Sequence, residues 1–375
     1  MIAPKFFVEK LSSLQIDFFT GVPDSLLKNI CAYITDNLSV ENHIIAANEG
    51  GAVGLATGYY LASGKIPVVY MQNSGEGNIV NPLMSLTDKE VYNIPLLLII
   101  GWRGEPGTKD EPQHVKQGKV TRSLLDTMGI RYEVLAQDEN ECAAQLERAK
   151  NYMEETKESF ALIIQKGTFD DYTLQKKEET MFSLKREEAI QIVASSMEEN
   201  AVVVSTTGMI SRELFEYRES VHQGHERDFL TVGSMGHASQ IALGIALQKK
   251  ERKVYCFDGD GATLMHMGSM AVTAAMRPAN YIHVIFNNGA HDSVGGQPTV
   301  GLKINLSQIA NACGYVKAFS VSDSVELKEK LETIKTMSGP ILLEITVKKG
   351  ARKDLGRPTT TPIQNKEALM SFLSK

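Results

Sequence analysis

The sequence predicts an α/β protein with two doubly wound parallel sheets, one in each half of the chain. Short apolar runs of strand length alternate with segments of helical composition from residue 1 to about 168. A polar stretch over 169–185 interrupts this pattern, and the alternation then starts again. We therefore expect a first domain at 1–168, a linker at 169–185 and a second domain at 186–375, with no middle domain. A long surface loop inside one domain is the alternative to a linker.

Each predicted strand is a short apolar run that ends at a turn residue, and each predicted helix fills the space to the next strand. In the first half, strands are predicted at 17–20, 44–47, 68–72, 95–101, 131–134 and 160–165. Helices are predicted there at 6–14, 25–37, 49–63 and 78–87, with two more between 121 and 168. In the second half, strands are predicted at 202–204, 254–257, 281–286 and 341–347, and helices at 186–197, 240–247 and 262–277.

Composition indicates a globular protein outside a membrane. The chain has 375 residues, 43% hydrophobic and 22% charged, which is ordinary for two folded domains. A net charge of −6 without a long basic run argues against nucleic acid as a partner. The N-terminus lacks a signal-peptide core, and the apolar run from Ile94 to Ile100 is too short to span a bilayer. We expect a cytoplasmic protein with reduced, buried thiols at Cys31, Cys142, Cys256 and Cys313.

Hard oxygen ligands follow two neighbouring strands of the second half. Gly259-Asp260-Gly261 ends the run at 254–257, and Asn287-Asn288 ends the run at 281–286, with a helix-length segment between them. Because parallel strands end at the same edge of a sheet, a carboxylate and an amide oxygen converge there. Mg²⁺ and Ca²⁺ prefer such ligands. Gly-Asp-Gly alone is also a common turn, so the prediction depends on the pair.

This pair of motifs resembles that of the thiamine-diphosphate enzymes. The resemblance implies a Mg²⁺ ion held by Asp260, the Asn288 side chain and the Ala290 main-chain carbonyl, and bound to the cofactor diphosphate. Gly259, Gly261 and Ala262 would line the diphosphate.

Glu49 opens a Gly-rich helix, in which each Gly costs roughly 1 kcal/mol relative to Ala. That cost indicates close packing, against a ligand or simply against another backbone. An acid at a helix N-terminus is also an ordinary partner of the helix dipole. The resemblance implies more, because Glu49 matches the glutamate that activates the cofactor through its pyrimidine ring. The first domain would then bind the pyrimidine and the second the diphosphate, across subunits of at least a homodimer.

Two further loops match cofactor positions of these decarboxylases. In Gly233-Ser234-Met235-Gly236, the resemblance implies that Met235 bends the cofactor, although a Met often only fills a core. Gly208 and Met209 would form another cofactor-side loop.

The loops after the first-domain strands, together with 110–119 and 291–299, resemble phosphonopyruvate decarboxylases closely and sulfopyruvate decarboxylases less closely. The resemblance covers nearly the whole chain. It implies decarboxylation of 3-phosphonopyruvate to phosphonoacetaldehyde and CO₂, a step of 2-aminoethylphosphonate biosynthesis. Since sulfopyruvate decarboxylases are expected to divide the two domains between polypeptides, a single chain favours the phosphonate.

A substrate with a carboxylate and a phosphonate needs cations and N–H donors. Candidates are basic residues of two consecutive loops predicted to be polar, namely Arg103, His114, Lys116 and Lys119. Each of these could instead be a solvated surface charge. Asp24 and His114 match acid–base residues of related decarboxylases, and His291 is a further substrate-binding candidate that could instead cap its loop.

Three other functions remain open from the sequence. The substrate could be sulfopyruvate or another 2-oxo acid, and the chain could be a non-catalytic subunit that only binds thiamine diphosphate. A plain nucleotide-binding protein is the third, but the expected glycine-rich phosphate loops are absent from the sequence.

Overall fold

The computed structural model describes residues 1–176 and 180–375. Two compact units divide the chain, and their boundary falls inside the segment 177–179, which lies outside the described residues. The loop Ser293–Gln297 groups with the first unit. The predicted linker contains the undescribed segment, and its bounds stay a prediction. Among the described residues, no helix is both long and apolar enough to cross a membrane.

The first unit contains one six-stranded parallel sheet in the order β2-β1-β3-β4-β6-β5. Its strands are β1 (Phe19–Gly21), β2 (His43–Ile45), β3 (Val68–Gln72), β4 (Leu97–Gly101), β5 (Arg131–Val134) and β6 (Phe160–Ile164). Strands β4 and β6 are buried along their whole length, as expected where helices cover both faces. The loops that follow β1 to β4 therefore meet at one edge.

Helices cover both faces of this sheet and bury a separate hydrophobic cluster on each. They are α1 (Pro4–Ser13), α2 (Lys28–Asn37), α3 (Glu49–Ser63), α4 (Glu76–Pro82), α5 (Pro112–Thr127) and α6 (Glu139–Thr156). A 3₁₀ turn (Asn73–Gly75) precedes α4, and a π turn (Leu83–Thr87) follows it.

The prediction of a polar loop up to Lys119 is wrong, because α5 begins at Pro112. Proline has no N–H to lose at the first helical position, and its fixed φ suits that position. Four of the helix's residues, including His114 and Gly118, are buried, which places them on its inner face. Because few of its residues are buried, this helix has a mostly polar sequence and was not recognised.

The second unit repeats the architecture with the strand order β11-β12-β10-β9-β7-β8, again all parallel. Its strands are β7 (Val202–Ser205), β8 (Asp228–Leu230), β9 (Val254–Gly259), β10 (Tyr281–Asn287), β11 (Lys317–Val321) and β12 (Ile341–Thr346). The sequence did not predict the two outermost strands, β8 and β11. The first is very short, and the second has only one buried residue and lacks an apolar run.

The helices of the second unit are α7 (Arg186–Ser196), α8 (Met209–Ser220), α9 (Ala238–Gln248), α10 (Asp260–Met265), α11 (Ser269–Met276), α12 (Leu306–Cys313), α13 (Ser324–Lys335) and α14 (Pro362–Leu373). The single helix predicted at 262–277 is in fact α10 and α11, which a break at residues 266–268 separates. Gly268 lies in that break, where its low helix propensity makes the interruption inexpensive.

Candidate active site

The predicted metal ligands follow paired strands. In the sheet of the second unit, Gly259 at the end of β9 pairs with Phe286 of β10. Asp260 therefore follows the end of β9 at the same height in the sheet as Asn287, the last residue of β10, and Asn288 comes next. The two loops emerge side by side at the carboxyl edge, as the sequence predicted. Asp260 is also the first residue of α10, with only 2% of its surface exposed.

Asp260 is a buried carboxylate that has no cationic partner in the described part of the chain. The Thr299 hydroxyl donates to its Oδ2, and Gly301 packs so closely that a Cβ there would lie 2.7 Å from the same oxygen. Within residues 1–176 and 180–375, no Lys, Arg or His forms an ion pair with it. Burial raises the pKa of Asp260 to about 6. Because buried charges are normally paired or bind a metal, this environment fits a cation.

Asn288 is oriented by a residue that sequence reasoning missed. Its Nδ2 donates to Asp292 Oδ2 at 2.6 Å, so its Oδ1 is turned to the opposite side, where it accepts the Ala290 N–H at 3.0 Å. The same Asp292 oxygen accepts from Arg186 Nη1 at 3.0 Å and Gly350 N at 2.9 Å. An amide oxygen held in this way has the donor character that Mg²⁺ requires.

Asn287 has a different role from its neighbour. Its Nδ2 donates to Glu344 Oε1 at 2.8 Å and to the Gly301 carbonyl at 2.9 Å, and its Oδ1 accepts the Gly289 N–H at 3.1 Å. These contacts use the side chain inside the fold. Each asparagine oxygen accepts one main-chain N–H, but Asn287 has no exposed surface whereas Asn288 keeps 4% exposed, so Asn288 is the one of the pair that a ligand could reach.

Met235, Gly261 and His291 come together in the second unit. A Cβ built on Gly261 would lie 3.2 Å from His291 Cε1 and 3.3 Å from Met235 Cε. The three predicted residues therefore surround one small space beside the Asp260 loop. Burial lowers the pKa of His291 to about 4, although its ring keeps some solvent exposure. A neutral ring fits that position next to the glycine backbone.

The remaining predicted loops of this unit also follow strands at the carboxyl edge. Gly208, at φ +101°, caps α8, whose first residue is Met209. The next residue, Ile210, has its Cδ1 3.6 Å from where a Cβ on Gly259 would lie. In the loop after β8, Ser234 is exposed and Gly233 is partly exposed. In the segment after β9, Ala262 is buried.

Glu49 is buried at the first turn of α3 in the first unit, with 5% of its surface exposed. Asn78 Nδ2 donates to its Oε2 at 2.7 Å. Its Oε1 lies against Gly75, where a Cβ would be only 2.5 Å away. Asn48 caps the helix by accepting the Gly51 N–H at 2.8 Å. The carboxylate is therefore held in one position.

Asp24 is fully buried in the loop after β1. It accepts the Leu26 N–H at 2.9 Å and Gln72 Nε2 at 2.5 Å, and burial raises its pKa. A Cβ on Gly101 would lie 2.3 Å from its Oδ2. The neighbouring Ser25 Oγ accepts from Arg103 Nη1 at 2.6 Å. This serine connects the Asp24 loop to a predicted cationic residue.

Arg103 and His114 both bind Asp110, which the sequence did not single out. Both carboxylate oxygens of Asp110 accept from the Arg103 guanidinium, and His114 Nδ1 lies 2.9 Å from Asp110 Oδ1. Lys116 and Lys119 are not part of this cluster, because both are exposed on the outer side of α5. The structure thus brings together Asp24, Arg103 and His114 but leaves the two lysines apart from them.

Glu76, the first residue of α4, is a second buried acid that the sequence analysis passed over. It has no exposed surface, and among the described residues neither of its oxygens has a hydrogen-bond partner. Burial raises its pKa to about 8, and the nearby Thr121 hydroxyl offsets part of that rise. The Thr121 proton itself is directed to the Gln117 carbonyl at 2.9 Å. Glu76 is therefore expected to be protonated at neutral pH.

Both units match known families of domains. The N-terminal TPP binding domain of thiamine pyrophosphate enzymes matches residues 1–127, and the C-terminal TPP binding domain matches residues 206–345. The chain belongs to the thiamine pyrophosphate enzymes. The family and the two-sheet fold predicted from the sequence are confirmed, and thiamine pyrophosphate is the diphosphate cofactor that this family binds.

Within this family the chain is similar over nearly its full length to decarboxylases. It is 30% identical to phosphonopyruvate decarboxylase of Streptomyces viridochromogenes, over 100% of this chain and 96% of that protein. It is also 30% identical to phosphonopyruvate decarboxylase of Streptomyces hygroscopicus (96% and 92%) and to sulfopyruvate decarboxylase of Methanosarcina acetivorans (92% and 90%). The chain is therefore a thiamine-pyrophosphate-dependent decarboxylase.

The presence of both domains in one chain does not separate the two substrate classes. We expected sulfopyruvate decarboxylases to divide the domains between polypeptides, but the Methanosarcina acetivorans protein matches 92% of this chain and so spans both. That expectation is wrong as a general rule. The choice between phosphonate and sulfonate must come from other observations.

Proposed function

We propose that the protein decarboxylates 3-phosphonopyruvate to phosphonoacetaldehyde and CO₂, with thiamine diphosphate and Mg²⁺, in 2-aminoethylphosphonate biosynthesis. The observation that carries this proposal is the similarity to two phosphonopyruvate decarboxylases over 96% or more of the chain. Sulfopyruvate is the second candidate substrate, because a sulfopyruvate decarboxylase is equally identical over 92% of the chain.

The residues present fit the cofactor and its metal. Asp260, the Asn288 side chain and the Ala290 carbonyl would hold Mg²⁺, and the unpaired, buried carboxylate of Asp260 supports that assignment. Gly208, Met209, Gly233, Ser234, Gly259, Gly261 and Ala262 would surround the diphosphate. When bound, thiamine diphosphate supplies a nucleophilic carbon and a sink for the electrons left by CO₂.

Within the chain, Glu49 would position and activate the pyrimidine, because Asn78 and Gly75 hold its carboxylate in place. Met235 would pack against the cofactor beside Gly261 and His291. Asp24 and His114 would act as the general acid–base groups that deliver the proton replacing CO₂. Both side chains are buried, which keeps them in fixed positions.

Substrate binding is proposed for Asp24, Arg103, His114, Lys116, Lys119 and His291. The contacts of the described residues support Asp24, Arg103 and His114 most directly, because they belong to one polar cluster. Lys116 and Lys119 are exposed and would have to act at the rim of the site or on a neighbouring subunit. We also propose a cytoplasmic homo-oligomer of at least two chains.

The substrate test compares turnover of phosphonopyruvate, sulfopyruvate and pyruvate under identical conditions with added cofactor and Mg²⁺. The proposal expects phosphonopyruvate to give the highest kcat/KM. A preference for sulfopyruvate would move the assignment to the second candidate. A preference for pyruvate by orders of magnitude would contradict both. No turnover of any substrate would support a non-catalytic subunit instead.

A further inference from the structure

Asp110 is the centre of the polar cluster in the first unit. Its Oδ2 accepts from Arg103 Nε at 2.8 Å and from the Gly104 N–H at 2.8 Å. Its Oδ1 accepts from Arg103 Nη2 at 2.5 Å and from the Glu111 N–H at 2.7 Å, and it lies 2.9 Å from His114 Nδ1. Both oxygens of this carboxylate are therefore surrounded by donors, and three of those donors belong to two predicted site residues, Arg103 and His114.

The charge of Asp110 decides which nitrogen of His114 carries the proton. Burial alone would raise the pKa of Asp110, but hydrogen bonds from Arg103, His114 and the Gly104 N–H outweigh that effect and hold the pKa well below its usual range. The carboxylate is therefore ionised and can only accept hydrogen bonds. His114 must donate to it from Nδ1, which leaves Nε2 as the nitrogen that can gain or lose a proton.

The backbone around this pair leaves little room for movement. A Cβ on Gly104 would lie 2.0 Å from the His114 carbonyl, and a Cβ on Gly118 would lie 1.7 Å from the Gly104 carbonyl. Trp102 Nε1 also donates to the Gly118 carbonyl at 2.9 Å. The loop after β4 and the first turns of α5 are therefore in direct contact, with Asp110 between them. A carboxylate held in this way can fix both the position and the tautomer of an imidazole ring.

We propose that Asp110 is a positioning residue that holds His114 in the Nδ1–H tautomer and anchors the Arg103 guanidinium beside it. This inference rests on the proposed decarboxylation. The reaction loses the carboxylate carbon as CO₂ and gains one proton at the former keto carbon. In the charged ring, His114 Nε2–H gives that proton, and the neutral ring then recovers one from solvent at the same nitrogen, so the protein is unchanged after each cycle.

The inference also gives Arg103 a defined role. Nε and Nη2 are bound to Asp110 and Nη1 to Ser25, so most of the guanidinium is already used inside the chain. Its charge is balanced by Asp110 before any substrate arrives. Arg103 would therefore bind a substrate through its remaining N–H groups, which point in a fixed direction. It would not offer the substrate an unbalanced positive charge.

The first test measures the tautomer directly in the full-length protein without substrate. The chain has 8 histidines, so ¹⁵N labelling of histidine alone gives a small set of ring signals, and a His114→Gln variant identifies those of His114. The expected result is that the neutral form of the His114 ring carries its proton on Nδ1. A neutral ring with its proton on Nε2 and none on Nδ1 in the unsubstituted protein would overturn the inference. Because neither cofactor nor turnover is needed, this test stands even if the substrate assignment fails.

The second test substitutes the carboxylate. In Asp110→Asn, the new amide N–H can donate to Nδ1, so the expected result is a shift of His114 to the Nε2–H tautomer. A fall in kcat of about 100- to 10,000-fold is expected, with a smaller change in KM, by analogy with other carboxylate–histidine pairs. Asp110→Glu should restore the Nδ1–H tautomer and part of kcat. An Asp110→Asn protein that keeps both the tautomer and kcat within about twofold would overturn the inference.

Discussion

Two carboxylates at the edges of the two sheets have opposite surroundings. Asp110 of the first unit is bound by an arginine, a histidine and main-chain N–H groups, which hold its pKa low. Asp260 of the second unit has a hydroxyl and N–H donors but no cationic side chain among the described residues, and burial raises its pKa to about 6. The first charge is neutralised inside the chain, whereas the second has no counter-charge among the described residues, which supports the proposed cation site there.

This difference suggests a different chemical role for each unit. A carboxylate that is already paired is stable without a ligand and can fix the position of other side chains. A buried carboxylate without a counter-charge is costly to keep ionised, and binding of a metal ion would remove that cost. We therefore expect cation dependence to be a property of the second unit and proton control a property of the first.

Removing the carboxylate of Asp260 should produce the largest effect. Asp260→Ala takes away the one anionic metal ligand, so Mg²⁺ affinity should fall by more than about 100-fold, beyond the loss typical of outer-shell changes. Calorimetric titration of Mg²⁺ in the presence of thiamine diphosphate would measure this. The exposed Asp323, which only caps α13, gives a matched control as Asp323→Ala. Equal affinity in Asp260→Ala and the control would contradict the metal assignment.

Glu49→Gln should separate catalysis from cofactor binding in the first unit. The amide has nearly the same shape and can keep the contact with Asn78, but it cannot act as the acid–base group. We expect kcat to fall by about 100- to 10,000-fold while the affinity for thiamine diphosphate stays within a few-fold. Steady-state kinetics and a cofactor titration check the two halves of this prediction. Unchanged kcat would remove Glu49 from the mechanism.

Asp292→Asn should have an intermediate effect in the second unit. One oxygen, Oδ2, accepts from Asn288, Arg186 and Gly350, and an uncharged amide oxygen would accept these bonds more weakly, so the Asn288 amide should be held less firmly. Partners that orient a metal ligand typically contribute 10- to 100-fold to affinity, and a weakening of about that size is expected for Mg²⁺. The titration used for Asp260 measures it. An affinity as high as that of the unsubstituted protein would show that Asn288 is oriented without Asp292.

Glu76→Gln should produce the smallest effect, which is on stability and not on metal binding. The folded pKa of about 8 lies above the ordinary value of 4.5, so between these pH values the folded chain holds a proton that the unfolded chain releases. Stability of the unsubstituted protein should therefore decrease as pH rises, by at most about 1.4 kcal/mol per pH unit from this group. Denaturant unfolding at pH 6 and pH 8 should show a shallower decrease in Glu76→Gln. Equal slopes in both proteins would contradict the assignment.

The sequence predicted the central strands well because buried parallel strands are continuous apolar runs. The strands β9 and β10 were recognised in this way, and with them the positions of Asp260 and Asn288. The outermost strands β8 and β11 were missed because their burial depends on neighbours that sequence cannot identify. The start of α5 was missed for a related reason, since its inner face has few apolar residues.

The sequence singled out candidate residues where a motif contains them, and it did not single out residues whose importance depends on a contact partner. Glu49 and Met235 could be found from their place in a local pattern. Asp110 and Asp292 could not, because each acts through residues that only the fold brings near, such as Arg186 to Asp292. A polar side chain in a Gly- and Pro-containing loop has no periodicity from which its partners can be derived. Whether the predicted residues bind substrate remains a prediction.

Three of the predicted acids, two in the first unit and one in the second, share one feature of local geometry. Gly75 lies behind Glu49, Gly101 behind Asp24, and Gly301 behind Asp260, and a Cβ at any of these glycines would approach a carboxylate oxygen to 2.7 Å or less. A single added methyl group at any of them would therefore push an acid out of its place without altering the acid itself. If the three acids have the proposed roles, an alanine at any of these glycines should reduce activity, so a redesign of this protein should keep all three glycines.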